Sequence, residues 1–375
     1  MKIAFDAKRA LNNSSGLGNY SRHLLNGLMK HYPNHEYSLF IPKARDEFFH
    51  QLHGDFKIHF PETKLQKSFH PLWRSFGVKN QILKVRADIF HGLSNEIPFG
   101  IQNSGPKTVV TIHDLIFLKH KEQYPFFERQ IYQLKTRYAA KHADRIIAVS
   151  EQTKNDLMEV FGVKGEKIVV IPPIVAAAFQ NQEPRSKSRE AIQKYNLPSK
   201  YILNVGSFFP RKNHRTLIEA LDLIKDKVSE DLLLVGNGGS ERKAIEALIA
   251  NKKLGQRVKI VSNIISADLP AINRAASVSV FPSLFEGFGM PIAEALFSKV
   301  PVIATLGGCF EEAGGKNCLY VNPTSAEEIA AALLKVLQDD ALKNKMIENG
   351  FAHAQTMTEE VLSEKMMDVY KELAR

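Results

Sequence analysis

The chain has 375 residues, 44% of them hydrophobic and 24% charged. That is enough for two domains with real cores, and too ordinary for a disordered or obligate membrane chain. The formal net charge of +10 lies almost wholly in the first half, where residues 1–178 hold 25 Lys and Arg against 16 Asp and Glu, with eleven of the 13 histidines.

Met1-Lys-Ile-Ala-Phe-Asp reads as a first strand rather than a signal peptide, and no apolar run approaches the ~20 residues that span a bilayer. Further strands are expected at 37–41, 56–60, 88–91, 107–112, 144–149 and 167–171. A polar, charged stretch at 180–198 reads as linker, after which the strand rhythm restarts at Tyr201 and continues at 231–235, 257–262, 278–281, 300–304 and 318–321. Helical periodicity closes the chain at 325–337, 339–352 and 358–373. Strands alternating with helices throughout give parallel sheets covered on both faces. The expected fold class is α/β, with two Rossmann-like domains facing a central cleft: residues 1–178, a linker at 179–199, and residues 200–355.

Several clusters carry chemistry. Gly16 and Gly18 follow the first strand and open an amphipathic helix through Leu24, Leu25 and Leu28. They suit either a backbone wrapped around a phosphate or sugar, or a simple turn. The third glycine and the acid of a dinucleotide fingerprint are missing, which argues against a nicotinamide dehydrogenase. Residues 64–87 contain Lys64, Lys67, Arg74, Lys79, Lys84 and Arg86 and no acid, interleaved with Phe69, Leu72, Trp73 and Phe76. Such a segment can dock on an anionic membrane or a nucleic acid, or form a solvated helix packed inward. No nucleic-acid motif accompanies it. The strand Val109-Val-Thr-Ile ends at His113, where an imidazole can bind sugar hydroxyls, act as acid or base, or sit satisfied in the core. Ser150 reads as a helix cap. Arg211 and Lys212 are adjacent cations ahead of a helix; a planar fork beside a point charge can neutralise a diphosphate.

The densest signal is Ser283 to Ser298. Gly287 and Gly289 permit a tight turn, and Pro291 suits the first position of a helix. Glu286 is then expected in a loop and Glu294 in the first helical turn. A helix N-terminus between them attracts phosphate. Cys309 and Cys318 show neither metal-ligand spacing nor a disulfide framework, so a reducing cytoplasmic setting is the default.

Taken in order, Gly16-Leu-Gly, His113-Asp114, Ala148-Val-Ser, Gly206 followed by Arg211-Lys212-Asn213, Leu234-Val-Gly, Phe281-Pro-Ser and Glu286 to Glu294 resemble the retaining family 4 glycosyltransferases of GT-B fold. His-Asp-Leu-Ile-Phe-Leu and Glu311-Glu-Ala-Gly look similar to the mannosyltransferase-like branch that builds bacterial surface polysaccharides. The resemblance implies that Glu294 binds the nucleotide ribose and Glu286 the transferred sugar. It implies that backbone groups around Phe288, Gly289 and Met290 hold sugar and diphosphate, and that Arg211 and Lys212 stabilise the leaving group. His113 would contact the donor sugar, and Gly16 and Gly18 would line the donor–acceptor junction. It further implies a metal-independent hexosyltransferase without a cofactor, using a nucleotide diphospho-sugar, with GDP-mannose the first guess and a UDP-sugar next. The acceptor would be a glycan or lipid-linked glycan, met by a cytoplasmic protein peripheral to the inner membrane face through 64–87. The final segment, 356–375, would cross back onto the first domain. A sugar-nucleotide epimerase or a non-catalytic binding protein on the same scaffold are the alternatives. One departure is Pro172-Pro-Ile-Val-Ala, where many members carry Pro-Asn-Gly-Val-Asp.

Overall fold

A computed structural model describes residues 1–103, 105–121, 124–181 and 184–375. The chain forms two compact units, Met1–Ala176 with Met357–Arg375, and Ala177–Thr356.

In the first unit the strands are β1 (Lys2–Asp6), β2 (Glu36–Phe40), β3 (Lys57–His59), β4 (Ile89–Gly92), β5 (Lys107–Ile112), β6 (Arg145–Ala148) and β7 (Ile168–Val170). They lie in the order β3-β2-β1-β4-β5-β6-β7, and every pairing is parallel. Runs such as Thr108–Ile112 are buried throughout, as expected for strands covered on both faces. One face packs Phe90, Val110 and Ile146 against Trp73, Val78 and Ile82, and against Ala139, Ala140 and Ala143. The Gly16–His31 helix packs on the final helix, Glu359–Leu373. Gly27 makes that contact close, because a Cβ there would stand 2.3 Å from Ser363 Oγ. Glu359 accepts from Lys30 Nζ at 2.8 Å, and Tyr370 Oη meets His91 Nδ1 at 2.6 Å, so the terminal helix is tied to this unit by charge and by core. Its Leu362, Met366 and Met367 are buried.

In the second unit the strands are β8 (Tyr201–Val205), β9 (Asp231–Val235), β10 (Val258–Val261), β11 (Val278–Phe281), β12 (Val302–Thr305) and β13 (Leu319–Val321). Their order is β10-β9-β8-β11-β12-β13, again all parallel. Both sheets therefore reverse direction at one point, between β1 and β4 and between β8 and β11. Ligands of open α/β sheets bind outside the carboxyl ends of the strands flanking such a point.

Three expectations need correction. The stretch expected as linker at 179–199 contains a helix, Arg185–Lys194, with Ala191 buried beneath it; its charge density marks a solvated helix face rather than a free tether, and residues 182 and 183 lie outside the described residues. Pro291 takes the second helical position, because the helix starts at Met290 on the left-handed Gly289. Glu294 is consequently the fifth residue, one past the first turn. Arg74 and Trp73, read among the basic and aromatic docking residues, are buried. Arg74 Nη2 is bound by both Asp6 and Glu96. Among the described residues, no helix is long and apolar enough to cross a membrane.

Candidate functional site

Each unit places its candidate residues at the carboxyl edge of its own sheet. In the second unit β8 runs into Gly206, and the following loop ends in a 3₁₀ turn, Pro210–Lys212. Gly206 is met by a second glycine: a Cβ on Gly236 would lie 2.0 Å from the Gly206 carbonyl oxygen. Asn213 then adopts φ 56° ahead of the His214–Ile224 helix. Its Nδ2 donates to the Pro323 carbonyl at 2.6 Å and to that of Pro282 at 3.2 Å. Leu284 N donates to the Arg211 carbonyl at 2.8 Å. These bonds clamp the Arg211-Lys212 turn onto the loop that leaves β11.

That clamp brings three charges together. Lys212 Nζ lies 2.6 Å from Glu286 Oε1, and Arg211 Nη1 pairs with the same oxygen. Lys212 also stands 4.9 Å over the Phe281 ring. Burial pushes the Glu286 carboxyl up, but the Lys212 and Arg211 charges outweigh it and hold the group below the usual carboxylate range. Burial pulls the Lys212 ammonium down, with Glu286 opposing. The cluster carries one net positive charge in a poorly solvated place, the arrangement that a diphosphate would complete. Cys309 Sγ donates to the Glu286 carbonyl at 3.3 Å and Thr305 Oγ1 to that of Ser283 at 2.6 Å, which fixes the loop from below.

The loop continues through buried Phe288 to Gly289, at φ 117°, and then into Met290 and the helix. Gly289 caps the helix without a side chain; Pro291 has no N–H and Ile292 N donates to the Gly289 carbonyl at 2.9 Å, so of the first three helical positions Met290 is the one with an N–H to offer a ligand. Glu294, partly buried one turn further on, has its carboxyl pushed up to about 7 by desolvation, against the pull of Lys212. The structure thus gathers Arg211, Lys212, Glu286, Phe288, Gly289, Met290 and Glu294 in one unit. The positioning roles of Asn204, Ser283 and Asn213 were not read from sequence. Asn204 is buried in β8 and donates to the Val280 carbonyl at 2.8 Å, joining the two strands at the switch point. A polar side chain inside an otherwise apolar strand was the available signal.

In the first unit His113 follows β5. Its Nε2 donates to the Leu93 carbonyl at 2.9 Å, and its ring meets Tyr20 edge-on with centroids 4.6 Å apart. Burial pulls the imidazole down to about 4, against the Leu93 bond. The residue is therefore neutral near pH 7, and with Nε2 protonated its Nδ1 is an acceptor. Gly18 is required by the backbone, since a Cβ there would stand 1.8 Å from the Asn13 carbonyl oxygen, whereas Gly16 faces open space. Arg22 holds the same turn through the carbonyls of Ala10 and Asn13 at 2.7 and 2.9 Å. Gly18→Ala is accordingly expected to destabilise the protein by about 1–3 kcal/mol, while Gly16→Ala changes stability little. Urea unfolding of the two variants checks this, and equal midpoints would contradict it. Among the described residues, no group of three or more His, Cys, Asp or Glu is placed to hold a metal ion.

Residues 187–353 match the family model of glycosyl transferases group 1, and residues 14–179 match that of glycosyltransferase family 4. O-antigen chain mannosyltransferase B of Escherichia coli is 26% identical over 286 residues, 76% of this chain and 74% of that one. Serotype-specific mannosyltransferase WbdA of Escherichia coli is 26% identical over 272 residues, 70% of this chain but only 33% of that longer protein. The sucrose-phosphate synthase of Thermosynechococcus elongatus has the same fold, with a TM-score of 0.78 at 23% identity over 100% of this chain and 99% of that one. Anabaena HepE, solved with UDP and glucose, gives 0.76 at 19% identity over 99% of this chain and 100% of that one. Two parallel α/β units with these neighbours define the GT-B architecture. The chain belongs to the group 1 glycosyltransferases, and it is similar to their mannosyltransferases.

Proposed function

We propose that the protein is a retaining hexosyltransferase that moves a sugar from a nucleotide diphospho-sugar to a glycan or lipid-linked glycan in surface polysaccharide synthesis. The observation that carries this is the single Glu286 oxygen shared by Arg211 and Lys212 beside the Gly289 helix start. Before the donor arrives, Glu286 offsets part of the charge of the two cations. An incoming diphosphate takes over that task and releases the carboxylate toward the hydroxyls of the transferred sugar. Glu294 receives the ribose hydroxyls, and backbone N–H groups from Phe288 to Met290 hold the sugar and diphosphate. Neutral His113 contributes an acceptor nitrogen toward the donor sugar, and the turn at Gly16 and Gly18 lines the acceptor side.

The donor proposed first is GDP-mannose, supported by the mannosyltransferase names of the relatives. A UDP-sugar comes next, in view of the UDP and glucose bound by HepE. Arg211 and Lys212 supply the charge that a metal would otherwise give the leaving group, so the reaction needs no metal and no cofactor. Turnover is expected to be unchanged after EDTA treatment, and recovery only on adding a divalent ion would overturn that part. The protein works in the cytoplasm at an anionic membrane surface, which it meets through the 64–87 segment.

A calorimetric and thermal-shift screen against GDP, UDP, ADP, their sugars and NAD tests the reading. A ligand at one hundred times its dissociation constant stabilises the fold by about 2.7 kcal/mol. Selective stabilisation by one nucleoside diphosphate and its sugar is the expected result. Stabilisation by NAD alone, or isomerisation of a donor sugar with no acceptor present, would contradict it.

A further inference from the structure

The helix Phe126–His142 buries only a narrow stripe. Thr136, Ala139 and Ala140 face the core, while Phe127 is 80% exposed, Leu134 62% and Ile131 53%. These three stand at i, i+4 and i+7, one outward face of the helix. Their exposure is costly in water and is concentrated on one line, which marks an interaction surface rather than scattered surface residues.

This stripe is joined to the basic segment. Phe76 stacks on Phe99 with centroids 5.1 Å apart, and Phe99 packs on Tyr138 of the helix at 4.4 Å. Glu96 links the two segments as well, binding Arg74 on one side and Lys135 Nζ at 2.7 Å on the other. Both segments cover the same face of the first sheet, since Trp73, Val78 and Ile82 share a core with Ala139, Ala140 and Ala143. Outside that core the basic segment leaves Leu65, Phe69, Leu72 and Phe76 exposed. A short π-helical turn, Trp73–Gly77, interrupts it. Leu65, Phe69, Leu72 and Trp73 line an apolar groove of about 270 Å³ with Gln66 and Gly77.

We propose that the Phe126–His142 helix and the 64–84 segment form one docking surface for an anionic lipid bilayer, with Phe127, Ile131 and Leu134 inserting beside Leu65, Phe69 and Leu72. The proposal rests on the membrane part of the proposed function and extends it to a helix that carries no sequence signal for docking. Charge selects the occupant. The helix has Arg129, Arg137 and Lys141 besides the paired Lys135, against the single acid Glu128. Lys64 and Lys67 stand exposed beside the other apolar residues. A second copy of the chain would bring the same cations face to face, which disfavours a symmetric pair. Phe69 and Phe127 could stack on bases, but Leu65, Leu72, Ile131 and Leu134, exposed beside them, cannot, and this aliphatic share disfavours a nucleic acid. Basic groups around exposed aromatic and aliphatic side chains match the headgroup and acyl boundary of an anionic bilayer. Arg74 takes no part, because its charge is spent on Asp6 and Glu96.

The test is flotation with vesicles of phosphatidylglycerol and phosphatidylcholine in equal parts, and with phosphatidylcholine alone. Wild type is expected to float with the anionic vesicles only. The triple variant Phe127→Ser, Ile131→Ser, Leu134→Ser should lose about tenfold in partitioning, and so should Leu65→Ser, Phe69→Ser, Leu72→Ser. Both variants keep wild-type binding of the nucleoside diphosphate by calorimetry, which shows that they fold. Wild-type flotation of the 127/131/134 variant would overturn the role of the helix while leaving the basic segment its own. Failure of wild type to float would overturn docking altogether without touching the donor site. A wild-type dimer in size-exclusion chromatography that the 127/131/134 variant abolishes, with flotation unaltered, would reassign the face to self-association. Loss of nucleotide binding by the wild type would sink the transferase reading alone.

Discussion

In Lys212→Ala, turnover is expected to fall by about 10²–10³-fold while the protein still folds. In the proposed reaction the departing diphosphate gains negative charge as the glycosidic bond lengthens, and a fixed ammonium beside it would act more strongly there than in the ground state. Lys212 is fixed: Glu286 holds it at 2.6 Å and the Phe281 ring lies beneath it. Arg211→Ala should lose a similar or smaller factor, because its guanidinium is the more exposed of the two. The losses are expected chiefly in kcat, since the extra charge on the leaving oxygen exists only in the transition state, with a smaller rise in KM from the charge that the bound diphosphate already carries. The double variant should fall short of the product of the single losses, because both cations act on one group. Glu286→Gln provides the contrast. It leaves two cations without their counter-charge, so the free protein should lose stability, by about 3 kcal/mol, and regain part of it when a nucleoside diphosphate is added. Steady-state kinetics and thermal melts with and without ligand read these effects. Wild-type turnover in both alanine variants would remove the catalytic role of the cluster.

Glu294 should show itself through pH. Its carboxyl is pushed up to about 7 from the ordinary 4.5 by desolvation, ahead of the opposing Lys212 charge. Between those values the folded protein holds a proton that the unfolded chain has released, so its contribution to stability falls as pH rises through the window. Glu294→Gln removes the titration. The variant should melt above wild type at pH 8, and the difference should vanish below about pH 4.5. Donor binding runs the opposite way. The carboxylate accepts ribose hydroxyls best when ionised, so wild-type affinity should strengthen as pH rises through about 7, and the glutamine variant should lack that component. Glu294→Ala should weaken nucleotide binding about 10–100-fold, the worth of hydrogen bonds to a charged group. A glutamine variant that melts with wild type at every pH would show that the carboxyl is not desolvated. Unchanged affinity in the alanine variant would remove it from the ribose site.

Much of the scaffold was legible because its signals are local. Buried β-branched runs such as Val109–Ile112 mark parallel strands by composition alone, and 107–112, 231–235 and 278–281 match β5, β9 and β11 to the residue. Ser150 caps its helix through Thr153 N at 3.1 Å, as its position before an amphipathic run predicts. What escaped depends on distant partners. Nothing near Glu286 in sequence announces that Arg211 and Lys212, about 75 positions away, converge on one of its oxygens. Arg74 looked like a surface cation because its acids, Asp6 and Glu96, come from other strand ends. The Arg185–Lys194 helix was hidden by its charge, which resembles a tether unless burial of Ala191 is known. The shift of Glu294 beyond the first helical turn followed from treating Pro291 as the start, when Gly289 sets it.

The most direct test of the central claim is the transfer reaction itself. The purified protein is incubated with GDP-mannose or UDP-glucose and a lipid-linked glycan acceptor, with proton NMR following nucleotide and anomeric signals. Release of a free nucleoside diphosphate in step with a new α-glycoside from the α-linked donor is expected, and both should be lost in Lys212→Ala. A β-linked product, or consumption of the donor with no nucleotide released, would contradict the claim.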